Sequence, residues 1–421
     1  VLSGIQIDLN VVGSQEDTEV SLCNHNCTSE LGGYDCPSAF TKNPKVKPKF
    51  VASNNILKWV GYGNKALNEH YKMLPYKLQD YYLHYLIPEN IQNYISTLVV
   101  KPVTEVNLFG GNPEMHPEVL KIGNKLSQNN KVTLTTTGRR FLLSKNFCEE
   151  FKQSSIKTLA LSLDDTNVKE VETYLNSSCV GLKNEWKKID PLWGQKQKVL
   201  QAIYTLKEFE FTDVTIVLNT VIHENNIQDI LPLLDFLDSE FKNVLINPYF
   251  VQSTFDYQII KAKNKRKYLL YVNKIVNKMI EYHFTEKRIV KRLHYWLALR
   301  AMLNKFQYTD SVYSYLSGNM WKCYTDPILP YLQIGKGNNS SSIGGKLGCF
   351  WNTETISEEK QIQNTREVTR YLNSKMKTLA SEKSCSCFFP RLSGNLITTE
   401  LGLNDSFKLE YLKLRKDYLQ F

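Results

Sequence analysis

An α/β protein built on parallel strands is the fold this sequence predicts, on three observations. Segments of two-residue apolar alternation recur six times, helical spacing of apolar residues separates most of them, and each connection is long enough for a crossover helix. With 42% hydrophobic and 22% charged residues in 421, the chain can bury a large core, which excludes wholesale disorder.

The elements follow in order. Residues 5–12 alternate and read as the first strand, leading through a polar stretch to a cysteine-bearing loop. Residues 37–75 are rich in Lys, Asn, Gly and Pro and read as an insertion or lid, and residues 76–100 carry helical spacing. Then come strand 103–109, helix 117–128, strand 131–137, helix 144–153, strand 158–163, a long connection carrying helix 195–209, strand 214–221, helix 227–237 and strand 243–250. Sheets of this kind place their chemistry at the carboxyl ends of the strands.

Beyond this domain, taken as 1–255, residues 256–319 read as a basic helical bridge. Residues 320–400 read as a second unit with a Gly/Ser/Asn-rich loop at 335–348 and a polar helix at 356–379, and residues 401–421 as a tail. No run of eighteen apolar residues and no export signal is evident, so a soluble cytoplasmic protein without membrane attachment is expected. The net charge of +10 favours an anionic partner, either an acidic peptide or nucleic acid, although its patches at Lys42/Lys45/Lys47/Lys49, Lys261–Lys267, Lys287–Arg292 and Lys413–Lys416 also suit solvated surfaces.

Nine cysteines in a reducing compartment point to metal or redox chemistry rather than disulfides. They divide into Cys23, Cys27 and Cys36 near the start, Cys148 and Cys179 standing alone, and Cys323, Cys349, Cys385 and Cys387 near the end. Four thiolates saturate a zinc ion or an iron–sulfur cluster, whereas three leave one iron of a cubane open to substrate. Zinc held by the first three with His25 is the alternative for that group.

The loop Cys23-Asn24-His25-Asn26-Cys27 resembles that of the radical S-adenosylmethionine superfamily, whose first strand feeds Cys-x3-Cys-x2-Cys. The third cysteine departs from the pattern, since eight residues rather than two separate Cys36 from Cys27. A loop absorbs such an insertion for about 0.6 kcal/mol per doubling of length, and Gly32-Gly33 lets the backbone turn back. Further motifs follow in the family's order. Gly110-Gly111-Asn112-Pro113 is similar to its Gly-Gly-Glu-Pro turn, with Asn112 in place of the Glu that accepts from the methionine amino group and Glu114 close by to compensate. His116 then reads as a helix-start residue. Thr135-Thr136-Thr137-Gly138 is similar to its Thr-Asn-Gly strand end, and Ser162-Leu163-Asp164 to its Ser-Leu-Asp.

This resemblance spans residues 5–250 and implies a partial (β/α)6 TIM-like barrel, a [4Fe–4S] cluster on Cys23, Cys27 and Cys36, and S-adenosylmethionine as cosubstrate. It implies cofactor contacts from Tyr34, Gly110, Gly111, Asn112, Thr137, Ser162, Asp164, Asn219 and Ile222, while Asp164 could equally cap a turn. Trp321-Lys322-Cys323 with Gly348-Cys349-Phe350-Trp351 and Cys385-x-Cys387 resembles the auxiliary modules called SPASM or twitch domains. A second [4Fe–4S] cluster is implied there, with zinc on the same four thiolates as the alternative.

Such modules occur in maturases of ribosomally made peptides, which implies a peptide substrate with a leader and an external donor of the flavodoxin or ferredoxin type. Epimerisation would need a thiol hydrogen donor, for which Cys179, and less so Cys148, is available; crosslinking or thioether formation would not. Two readings stand against a peptide maturase: radical chemistry on RNA or a nucleotide-derived small molecule, and a non-enzymatic zinc protein.

Overall fold

A computed structural model describes residues 4–8, 105–109, 112–115, 118–164, 166–189, 194–250 and 265–290, the positions 293, 296 and 300, and the segments 331–336, 343–348 and 361–362. The chain divides into two compact units, one of Val1–Asn219 with Tyr331–Leu347 and Glu358–Val368, the other of Thr220–Pro330 with Gly348–Ser357 and Thr369–Phe421.

The first unit is a sheet with helices. Its described elements are β1 (Gly4–Asp8), β2 (Glu105–Phe109), α1 (Val119–Ser127), β3 (Lys131–Thr136), α2 (Arg139–Leu143), α3 (Lys145–Lys152), β4 (Thr158–Ser162), α4 (Val168–Asn176), α5 (Cys179–Lys188), α6 (Gly194–Glu208) and β5 (Thr215–Ile222, through Asn219). They are followed by β7 (Tyr331–Lys336), β8 (Ile343–Gly348, through Leu347) and β9 (Gln361–Ile362). Five strands, β1 to β5, are parallel to their neighbours, in the order β5-β4-β3-β2-β1. The predicted parallel α/β arrangement is therefore present.

Alternation decides which face each strand buries. Val132, Leu134 and Thr136 of β3 are buried, as are Val106 and Leu108 of β2 and Leu159 and Leu161 of β4. Full burial of each large aliphatic side chain contributes roughly 2 kcal/mol. Helix α1 presents Val119, Ile122 and Leu126 at i, i+3 and i+7, the spacing of a single helical stripe. Between them Gly123 leaves no room for a Cβ, which would run into Ile156. Register places Asn107, Thr133, Thr135, Ala160, Ser162 and Asn219 on the other face of the strands, where Thr135 Oγ1 donates to Asn107 Oδ1 at 2.8 Å.

Several elements differ from the expectation. The connection between β4 and β5 carries α4 and α5 as well as α6, each opened by a side-chain cap, Asn167 accepting from the Glu170 amide and Ser178 from the Gly181 amide. Their apolar signal is weak, because α4 buries only Val171 and α5 only Leu182 and Trp186. Helix α2 was likewise not expected; Gly138 precedes it with φ of +84°, and a Cβ there would sit 3.0 Å from Thr205 Oγ1 and 3.2 Å from the Gln201 carbonyl.

The expected loop at 335–348 holds the end of β7 and all of β8. The expected helix at 356–379 is interrupted by β9, which pairs antiparallel with β8. Strand β7 lies parallel to β1 with Ile7 opposite Leu332, and its residues cluster with the first unit. Glycine-rich composition marks a loop locally, and pairing to a sheet edge overrides it.

The second unit contains β6 (Val244–Phe250), α7 (Ile230–Glu240) and α8 (Lys265–His283), the last within the stretch read as a helical bridge. Ile246 bridges to Ile289 by reciprocal backbone hydrogen bonds through Arg288 and Val290. Tyr282 donates to Asp235, which also pairs with Lys287, so α8 and the chain after it are tied to α7. The predicted lid at 37–75 and helix at 76–100 lie outside the described residues, as does the predicted tail at 401–421.

Candidate active site

The carboxyl ends of β2 to β5 collect buried polar side chains that a purely structural sheet edge does not require. After β2 the chain makes a 3-10 turn, Pro113–Met115, that places Asn112 (2% exposed) and Glu114 (1% exposed) beneath the end of β3. Thr136 Oγ1 donates to Asn112 Oδ1 at 3.1 Å, and the Arg140 amide donates to Glu114 Oε1 at 3.1 Å. Glu114 Oε2 is buried and meets no hydrogen-bond partner.

Burial pushes the Glu114 carboxyl above the ordinary carboxylate range, against the opposing effects of the polar Thr136 and Asn112 side chains beside it, the Arg140 amide and the Arg140 charge. The Arg140 guanidinium, lowered to about 10 chiefly by burial, lies over the Phe147 ring at 4.1 Å. Because the folded state holds the Glu114 proton more tightly than the unfolded chain, its stabilising contribution is complete below the unfolded value of 4.5 and lost as pH rises through the raised folded value. Glu114→Gln keeps the acceptor for Arg140 and cannot ionise. Urea unfolding between pH 4 and 8 should therefore show the variant gaining on the wild-type chain as pH rises, and parallel pH profiles would contradict the assignment.

A second group forms at the end of β4. Ser162 pairs in register with Asn219 of β5, and the Leu163 amide donates to the Asn219 carbonyl at 2.8 Å. Asp164 (2% exposed) faces Lys198 of α6 at 3.6 Å, with the lysine side chain 6% exposed. Helix α6 also buries Gln197, Gln201 and Thr205, and the last two receive Gly138 after β3. One helix thus contacts the ends of both β3 and β4. Arg139, 1% exposed, stacks its guanidinium 5.0 Å from the Trp186 ring centre of α5.

Of the predicted cofactor contacts, Asn112, Thr137, Ser162, Asp164 and Asn219 stand at these strand ends. Ile222, fully buried, closes β5 in the second unit, just before a turn in which Asn226 accepts from the His223 amide and donates to the Val221 carbonyl. Tyr34, Gly110 and Gly111 lie outside the described residues, as do Cys23, Cys27 and Cys36 of the predicted cluster loop and Cys323, Cys349, Cys385 and Cys387 of the predicted auxiliary site. Lys198 was not anticipated. Its only signal is the polar spacing 197, 198, 201 and 205, which gives α6 a hydrophilic stripe on a buried face.

The two lone cysteines are placed elsewhere. Cys179 opens α5 and hydrogen-bonds Glu208, the last residue of α6, while Cys148 is buried in α3 within the charge field of the same carboxylate. Along α6, Glu208 is about 15 Å from Lys198 at 1.5 Å per residue. Both thiols therefore lie toward the Glu208 end of α6 rather than beside Lys198. Burial holds both as thiols, Cys148 pushed up to about 12 and Cys179 raised also by Glu208.

None of the described residues assembles three metal-binding side chains.

No curated protein matches the chain. Among solved structures it is similar to Streptococcus suis SuiB bound to S-adenosylmethionine, at 15% identity and a TM-score of 0.41, over 87% of this chain and 64% of that one. It is also similar to SuiB alone (15%, TM-score 0.42, 72% and 65%) and to SuiB bound to precursor peptide SuiA (14%, TM-score 0.42, 92% and 70%). The chain thus spans about two thirds of the length of those chains. The family model of the radical SAM superfamily matches residues 71–237, the stretch that contains β2 to β5 and the strand-end cluster. Residues 71–237 are thus similar to the radical SAM superfamily domain.

Proposed function

We propose that the protein is a radical S-adenosylmethionine enzyme acting on a ribosomally made peptide. The observation that carries the reading is the coincidence of the family domain at residues 71–237 with buried Asn112, Glu114, Asp164 and Lys198 at the carboxyl ends of its strands. Cys23, Cys27 and Cys36 would hold a [4Fe–4S] cluster with one iron left for the amino acid end of S-adenosylmethionine. With both groups bound, the family's chemistry is reductive cleavage of the sulfonium to a 5′-deoxyadenosyl radical that abstracts hydrogen from the substrate.

The chain's own groups then bind and orient. Lys198 offers a cation for the methionine carboxylate, and Ser162 and Asn219 offer hydrogen bonds on the part-exposed face. The peptide reading rests on the four late cysteines, Cys323, Cys349, Cys385 and Cys387, whose SPASM or twitch resemblance suggests a second cluster. The charge of +10 suits an acidic leader and an acidic flavodoxin or ferredoxin-type donor. No described helix is long and apolar enough to cross a membrane. Epimerisation, with Cys179 or Cys148 as hydrogen donor, and crosslink or thioether formation are both within this chemistry.

Anaerobic reconstitution tests the core of the reading. Iron and sulfide should be incorporated with absorbance near ~400 nm, and reductant with S-adenosylmethionine should release 5′-deoxyadenosine. Protein that takes up zinc alone and releases none would overturn it.

A further inference from the structure

Helix α8 buries one side in the second unit through Tyr268, Val272, Ile275 and Met279, while Arg266, Lys267, Leu270, Lys274 and Asn277 are exposed. At 3.6 residues per turn the exposed five share one sector of the helix, about 17 Å long, with Leu270 one turn from both Arg266 and Lys274. We infer that this face is a docking strip for an acidic segment of the peptide substrate, Leu270 receiving an apolar side chain and Arg266, Lys267 and Lys274 receiving carboxylates. The inference rests on the peptide reading above and adds to it where the substrate is held away from the reacting atoms.

Charge and shape select the occupant. Residues 265–280 carry five basic side chains and no carboxylate. Among the described residues Arg266 and Lys274 form no ion pair, and the first carboxylate of the helix, Glu281, is taken by Lys278 at 2.6 Å. The strip therefore keeps a net positive charge that draws Asp and Glu of a partner. Leu270 is 64% exposed, and covering a large aliphatic side chain is favourable, so the partner gains from an apolar residue among its acidic ones.

Other anionic partners fit less well. A single-stranded nucleic acid needs aromatic faces to stack on, but the ring beside the strip, Tyr271, has Lys267 above it at 5.9 Å and donates its hydroxyl to Gln228 at 3.5 Å. One leucine is too little apolar surface to hold a helix in a membrane interface. A single helix face is also narrower than the ~800 Å² that each partner of a stable folded complex covers, and it matches the width of one peptide segment. Gln228 lies in the turn that leaves the carboxyl end of β5, and Tyr268, on the buried side of α8, stands in the field of Glu224 of the same turn. The strip thus starts beside a strand end, the edge at which parallel sheets place their chemistry.

Fluorescence anisotropy on the full reconstituted chain without reductant tests the inference. The probe is a labelled Glu/Leu peptide, compared with an all-Glu peptide, a Lys/Leu peptide and an oligouridylate. The Glu/Leu peptide should bind best, and less tightly as salt rises. Arg266→Glu with Lys274→Glu should weaken it by about tenfold or more. Leu270→Ser should weaken it by about fivefold and leave the all-Glu peptide unchanged. Lys169→Glu with Lys187→Glu, exposed on α4 and α5, removes the same net charge and should change affinity by less than about twofold. Absence of binding, equal losses from the two charge reversals, a Leu270→Ser effect that is missing or the same for both acidic peptides, or tighter binding of the oligouridylate or the Lys/Leu peptide would overturn the inference. All these side chains are exposed, so the comparison is made on folded protein. A reconstituted chain that releases no 5′-deoxyadenosine would instead sink the radical reading, which the binding measurement, made without turnover, does not touch.

Discussion

Replacing Cys36 with Ala should abolish release of 5′-deoxyadenosine and bring cluster iron to background, a loss limited only by the sensitivity of the assay. The physical ground is coordination number. A cubane has four irons, and three thiolates leave one iron for the cosubstrate; two thiolates leave a second corner open and the cluster labile. The eight-residue spacing from Cys27 makes this the decisive cysteine, because Cys23 and Cys27 alone satisfy a Cys-x3-Cys element that zinc could also use. Iron content, absorbance and product release are to be measured side by side in Cys23→Ala, Cys27→Ala and Cys36→Ala. Full turnover in the last, with loss in the first two, would show that another side chain supplies the third ligand.

The second large effect is on stability. Lys198→Met should destabilise the first unit by about 3 kcal/mol, because it removes a cation from a buried carboxylate. Asp164 is 2% exposed and its partner ammonium lies at 3.6 Å, so water cannot take over the lysine's role without opening the contact between α6 and the end of β4. A double variant, Lys198→Met with Asp164→Asn, should recover much of the loss, since no charge then remains to be solvated. Denaturant unfolding of the four proteins gives the coupling directly. A single variant that costs under about 0.5 kcal/mol, the range of an exposed ion pair, would mean the pair is open to solvent. Weakened S-adenosylmethionine binding in Lys198→Met at unchanged 5′-methylthioadenosine binding would add the carboxylate role proposed for this lysine.

These two expectations rest on different kinds of legibility. The cysteine groups were visible as spacing, and spacing is a property of the chain alone; their side chains lie outside the described residues. Lys198 was invisible in that sense. Its stretch, Gln197-Lys198-Val199-Leu200-Gln201, reads as an ordinary solvated helix, and only the packing of α6 over the ends of β3 and β4 buries the polar side of it. Glu114 lay between. It was noticed as a neighbour of Asn112, but its importance depends on a hydrogen bond from Thr136 to Asn112 across 24 residues and one from Arg140 across 26.

Cys148 and Cys179 are candidates by availability, and their helices carry them to the Glu208 end of α6. Helices α4 and α5 were missed because caps and single buried residues leave little periodic signal, and β7 and β8 because glycine is a loop marker until an edge strand pairs with it.

What the amino-acid order determined by itself was local: two-residue and 3.6-residue periods, the parallel strands they imply, cysteine spacing, and a motif order that resembles that of the radical SAM superfamily. Each of these is written within some ten or twenty consecutive residues, where backbone geometry and side-chain alternation act directly. Which polar side chains meet was decided by tertiary structure alone. The union of Glu114 with Asn112, Thr136 and Arg140, and of Asp164 with Lys198, joins groups from separate strand ends. A buried charge or an open carboxyl oxygen acquires its chemistry from the water that packing removes, and no local pattern records that removal.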